Sequence, residues 1–182
     1  MHVNHGRDPG APIPPALLAR PRDERRGLPI PPVSVHSVAD GEAVDFTTIN
    51  GPVAVDLARA RRCSLCGEAI GYWIAFLGGP AAHAARRYLD PPGHPECMSA
   101  AVRLCPFIAV RRYRRTPTHR QAVVTADLQD YEFDQPEEWV LGITRSFRIE
   151  INHGVAAYLP APFTSRHHYR YDEQGRIFTG PL

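Results

Sequence analysis

Four side chains carry the one chemical pattern in this sequence that spacing alone makes specific. Cys63-Ser-Leu-Cys66 places two soft donors three residues apart, and His94-Pro-Glu-Cys97 places an imidazole and a thiol three apart further on. Two such pairs are the ligand count and chemistry of a closed structural zinc site, because Zn²⁺ takes thiolate and imidazole in a tetrahedron. A Cys-x-x-Cys turn aims two sulfurs at one point, and Gly67 directly after it supplies a residue free to take positive φ.

The elements that must hold these donors are legible around them. Ala69 to Leu77 reads as a mostly apolar strand, which Gly78-Gly79-Pro80 ends. Ala81 to Leu89 reads as a helical turn within the long loop. Pro91-Pro92-Gly93 breaks the chain before the second pair, and Pro95 to Leu104 reads as a short helix, with Pro95 and Glu96 suited to its first turn. A His/Cys pair at that helix start puts both donors on one face, toward the Cys-x-x-Cys turn.

Knuckle, hairpin-like segment and ligand-bearing helix, over roughly residues 60–106, resemble a treble-clef zinc finger. The order Cys-x-x-Cys then His-x-x-Cys is also similar to half of a LIM-type site, although residues 67–93 make the intervening loop 27 residues long here. The runs 63–67, 71–80, 90–97 and 104–107 resemble a family of small proteins from high-GC bacteria and their phages, and that resemblance brings no activity with it.

Other readings of the same residues stay open. The cysteines of a reduced protein can be unrelated to one another, and a disulfide pair is a further alternative. Cys105 is the leftover thiol. It lies two helical turns past Cys97, at about 5.4 Å per turn, which favours an apolar filler over a ligand; a swap of Cys105 for His94 is the minority arrangement. A catalytic zinc would keep a coordination position open. His94-Pro95-Glu96 shares His-x-Glu with the zinc deaminases but lacks their downstream Pro-Cys-x-x-Cys. A nuclease of HNH type needs His and Asn across the hairpin and helix, and residues 68–93 hold only His83 and no Asn. His83 itself reads as an ordinary surface histidine.

Composition bounds the rest. At 182 residues the chain fits one domain with appendages. No apolar run approaches the ~20 residues of a membrane span, and the first residues lack the pattern of a secretory signal. The expected setting is cytoplasmic, with no membrane partner, in keeping with reduced cysteines. All 21 basic residues are arginine. With no lysine, Schiff-base chemistry and a Gly-x-x-x-x-Gly-Lys-Ser/Thr phosphate loop are excluded. A net charge of +2 provides no global field toward nucleic acid.

Residues 1–32 carry eight prolines and read as a Pro-rich flexible arm; residues 33–182 read as a single domain. Val33, Val35, Val38, Val44 and Phe46 alternate with polar residues about Asp40-Gly41, a hairpin signal. Val53 to Arg62, behind Pro52, reads as a helix leading to Cys63. The last third reads as an antiparallel sheet, with turns at Asn152-His153-Gly154 and Asp172–Gly175. The expected fold class is therefore α+β: a treble-clef zinc knuckle, a short N-terminal hairpin and a C-terminal antiparallel sheet.

Three functional readings follow. The first is a zinc-stabilised interaction or regulatory protein with a structural site at Cys63, Cys66, His94 and Cys97, Zn²⁺ as cofactor and a protein partner. The second is a nucleic-acid-binding protein using Arg111, Arg112, Tyr113, Arg114 and Arg115, where arginine and an interleaved aromatic suit phosphate and base. Asp127, Asp130, Glu132, Asp134, Glu137 and Glu138 follow that run and equally suit neutralising it within the chain. The third is an enzyme whose site gathers His153, His167 or His168 with a carboxylate.

Overall fold

The computed structural model describes residues 12–111 and 135–179. The fold is mixed α+β, and a four-stranded antiparallel sheet runs through its centre. The chain begins with a single helical turn, α1 (Pro15–Leu18), whose Leu17 is buried in the core beside Cys63 and Cys66. An isolated bridge between Arg22 and Pro29 folds the following segment back on itself.

A 3₁₀ turn at Pro32–Ser34 leads into β1 (Val35–Val38), which pairs with β2 (Gly41–Val44). The hairpin falls where alternation places it. Its two turn residues are Ala39 and Asp40, and Gly41 opens β2 at φ +130°. Asn50 then caps α2 (Gly51–Arg59): its side chain accepts from Val53 N and donates to the Val35 carbonyl at 2.7 Å, tying helix to hairpin. The helix buries Ala54 and Ala58, and Arg61 at φ 51° turns the chain into Cys63.

β3 (Ile74–Gly78) is buried along its whole length. Period-2 alternation divides its side chains between two clusters. Ile74 and Phe76 pack with Tyr88, Tyr158 and the site cysteines. Ala75 and Leu77 pack with Met98 and Val102, from α4 (Pro95–Leu104), and with Leu141, Trp139 and Tyr169. Between them lies α3 (Pro80–Ala85), and α5 (Pro106–Ala109) follows α4.

The remaining strands are β4 (Glu138–Thr144), β5 (Phe147–Asn152), β6 (Val155–Pro160), β7 (Ser165–Tyr171) and β8 (Ile177–Thr179). Both expected turns are present. His153 at φ 48° and Gly154 at φ 79° join β5 to β6, and Asp172 receives the Gln174 and Arg176 amides in the turn from β7 to β8.

One sequence expectation is corrected, and the expected antiparallel C-terminal strands are present in a finer arrangement. The apolar strand begins at Ile74 rather than Ala69, because Ala69 pairs with Arg62 to close the Cys-x-x-Cys turn and Gly71–Trp73 are exposed. The C-terminal strands also do not form one sheet of their own. β3 joins them in the order β3-β4-β7-β8, while β5 and β6 form a separate pair. A strand buried on both faces needs partners on both edges. β4 serves one edge of β3, and on the other Ala75 exchanges hydrogen bonds with Gly93 at 2.8 and 3.0 Å. Among the described residues no helix is long and apolar enough to cross a membrane.

Candidate metal centre

The Cys-x-x-Cys turn is built by backbone hydrogen bonds. Cys63 N donates to Glu68 O and Gly67 N to Cys63 O, both at 2.8 Å, with Gly67 at φ 83°. Ile70 N donates to Arg61 O at 2.7 Å, and the Arg62 guanidinium donates to Gly67 O at 2.8 Å. The turn is fastened to the second donor pair through Ser64, whose amide donates to Pro92 O at 3.1 Å and whose hydroxyl reaches Pro91 O at 3.3 Å.

Gly93 is required where the two halves meet. A Cβ there would lie 2.8 Å from Met98 Cε and 3.0 Å from Cys63 Sγ. His94 is the N-cap of α4 and Cys97 lies in its first turn, so one helix start carries both donors of the second pair.

Cys63, Cys66, His94 and Cys97 bring one donor atom each to a common point, all within 4.8 Å of one another. Cys63 and Cys97 are 0% exposed and Cys66 is buried. Nδ1 of His94 lies 3.4 Å from Cys66 Sγ and 3.8 Å from Cys97 Sγ. A tetrahedron with Zn–S of about 2.3 Å has sulfurs about 3.8 Å apart, so binding an ion asks for a contraction of about 1 Å at most along the longest edge. On the far side of the ring, Nε2 donates to the Ala69 carbonyl at 2.9 Å. That bond leaves the Nδ1 lone pair facing the sulfurs, the support a metal-binding histidine ordinarily has.

The four donors do not titrate alike. The Cys63 thiol is pulled down to about 5, first by its hydrogen bond from Cys97 and then by the amides of Cys66, His94 and Leu65. Burial pushes Cys66 up to about 11, and Cys97 is raised by its bond to Cys63 and by burial. The His94 ring lies above its ordinary value: burial opposes its charge, but the Ala69 carbonyl and the Cys63 sulfur outweigh it. A cation placed among the sulfurs would favour the thiolate form of all three. The cluster could hold a metal ion, and among the described residues it is the one group of three or more such donors that could.

The other candidate residues lie elsewhere. Cys105, half-buried rather than a buried filler, sits at the junction of α4 and α5 and is outside the donor group. Arg111 pairs with Glu137 at 2.9 Å, one contact of the neutralising kind; Arg112, Tyr113, Arg114 and Arg115 lie outside the described residues. His153 occupies the β5–β6 turn, in a different sheet from His167 and His168. His167 and His168, adjacent on β7, point to opposite faces. His168 meets a carboxylate, Glu138, which Arg170 also contacts at 3.1 Å.

His83 is half-buried rather than an ordinary surface histidine. Its ring stacks on Phe163 with centroids 4.6 Å apart, its Nδ1 lies 3.2 Å from the Tyr88 hydroxyl, and its Nε2 is buried with no hydrogen-bond partner among the described residues. Sequence reasoning also passed over the Ala69 carbonyl, Gly93 and the Tyr72–Trp73 pair. Of these, only the breaker before His94 left a sequence signal. The chain matches no family model, no curated protein and no solved structure.

Proposed function

We propose that this is a zinc-stabilised interaction or regulatory protein, in which Cys63, Cys66, His94 and Cys97 hold Zn²⁺ in a structural Cys₃His centre. The observation that carries the reading is the closure of the site. Four protein donors lie within 4.8 Å of one another and two of the sulfurs are wholly buried. Four ligands complete a tetrahedron and leave no position for substrate or water, the hallmark of structural over catalytic zinc. Three sulfurs and one imidazole favour zinc over the hard oxygen-seeking cations.

The order of elements supports a treble-clef type of module: a turn closed by the Arg62–Ala69 bridge, then β3, then a helix that carries the second donor pair. Four cysteines that form no disulfide among the described residues support a reducing, cytoplasmic setting. A bound ion would join the knuckle to α4, and the surface so organised would meet the partner.

Elemental analysis of protein purified without added metal, with thiol titration before and after chelation, tests this. The expected result is one zinc per chain, one reactive thiol (Cys105) before chelation and four after. Protection of all four thiols would transfer a ligand role to Cys105. Metal-free protein with four reactive thiols would remove the proposal.

A further inference from the structure

Directly after the knuckle the chain exposes two large aromatic rings side by side. Tyr72 is 61% exposed and Trp73 41%. They meet edge to face, with centroids 4.8 Å apart and planes at 79°. The β3–β4 register explains what joins them: Ile74 pairs with Thr144, so the next residue outward on β4 is Arg145. Its guanidinium carbon lies 5.1 Å from the Tyr72 centroid and 5.3 Å from that of Trp73. Three flat groups are thus held together at the solvent edge of the sheet.

Arg145 has no carboxylate partner among the described residues, although seven ion pairs are formed there by other side chains. The adjoining chain is also basic. From Arg59 to Trp73 it carries Arg59, Arg61 and Arg62 against the single acid Glu68. Arg61 and Arg62 are exposed, and their backbones bond to Ile70 and Ala69, two and three residues from Tyr72. Arginine over aromatic rings, with no carboxylate partner among the described residues, suits a partner that has both planar groups and negative charge. An acidic peptide without aromatic residues supplies only the charge. A single strand of nucleic acid supplies both, since its bases stack on aromatic and guanidinium planes and its phosphates take the arginines.

We propose that Tyr72, Trp73 and Arg145, flanked by Arg61 and Arg62, form a docking surface for single-stranded nucleic acid. This names the partner of the interaction module above and rests on that reading. It uses none of the residues of the Arg111–Arg115 run.

The test is titration of the full zinc-loaded chain with an oligothymidylate of about 15 nucleotides, within the ~4–16-nucleotide sites of single-strand binders. Trp139 is buried, so a stacked base reports through Trp73. The expected result is saturable quenching of tryptophan emission and steep loss of affinity between about 50 and 200 mM salt. With a labelled oligonucleotide read by anisotropy, Trp73→Ala and Arg145→Ala each weaken binding about tenfold. Both positions are exposed, and unchanged zinc content and melting temperature verify that the variants fold.

No binding at the lower salt would overturn the proposal. So would binding that both variants retain, which would pass the role to another surface. Equal competition by polyglutamate would also overturn it, in favour of an acidic protein partner. Zinc content measured on the same samples separates the two readings: a zinc-loaded chain that ignores the oligonucleotide sinks this inference alone, and a chain without metal sinks the one beneath it.

Discussion

His83 shows how a single residue acquires a property that its neighbours in sequence do not announce. α3 lays its ring on Phe163, and Tyr88 takes the Nδ1 edge. Burial, together with the nearby charges of Arg166 and His168, lowers its pKa to about 4 from 6.5. The unfolded chain therefore binds a proton between those values that the folded chain refuses, so folding stability falls as pH drops from 6.5 toward about 4. His83→Phe keeps the stacking and removes the proton. Denaturant melts across that interval are expected to show a flatter acid-side decline for His83→Phe than for the wild type; equal slopes would mean that His83 does not titrate differently in the two states. The metal donors obey the same logic of environment. Cys63 and Cys66 are the same residue type three positions apart, yet one is drawn down to about 5 and the other raised to about 11.

At the scale of elements, the central fact is that β3 belongs to two structures at once. It follows the knuckle, and Ala75 binds Gly93 beside the second donor pair. It is also the edge on which β4, β7 and β8 assemble. Its partner β4 has a glycine opposite Phe76, at Gly142, because Phe163 lies flat on the strand there. A Cβ at Gly142 would come within 2.4 Å of that ring. Gly142→Ala must displace Phe163, and with it the contacts to His83 and Tyr88. A loss of about 1–3 kcal/mol is expected, as for overpacking generally. Urea unfolding should show it as a lower midpoint at unchanged slope, and an unaltered midpoint would show that Phe163 moves freely. The hairpin, α2 and α4 form where local signals place them because each carries its own caps and breakers: Asn50 for α2, Pro95 for α4, Asp172 for the last turn.

For the whole molecule, the Cys₃His cluster is part of the core rather than an appendage. Cys63, Cys66 and Cys97 pack in one cluster with Leu17, Ile74, Phe76, Tyr88 and Tyr158, drawn from α1, β3, the loop after α3, and β6. Structural zinc supplies apparent folding energies of about 10–16 kcal/mol, against a usual net stability of about 5–15 kcal/mol for a domain. Chelation should accordingly unfold the sheet and not the knuckle alone. Trp139 reports this, since it lies buried on β4 with its indole N–H donating to Tyr171 at 2.7 Å. Its emission is expected to shift to the red on metal removal and to return on adding zinc back. An unshifted spectrum in protein shown to be metal-free would mean that the sheet stands without the ion.

The sequence by itself determined the donor set and most local elements, because ligand chemistry, caps and turn residues act over a few positions. It marked Cys63, Cys66, His94 and Cys97 by type and spacing, and placed α4 at Pro95–Leu104 by its proline, its acid and the breaker before it. Only the tertiary structure decided strand partnership. Ile74–Gly78 is apolar on both faces, so its pattern contains no preference between a hairpin beside the knuckle and an edge of the C-terminal strands. Long-range packing chose the latter. The same assembly brought Arg145 to Tyr72 and Trp73 across 72 residues of chain, and the Ala69 carbonyl to His94. Such contacts between distant segments depend on register across a sheet and on backbone geometry, neither of which a side-chain pattern encodes.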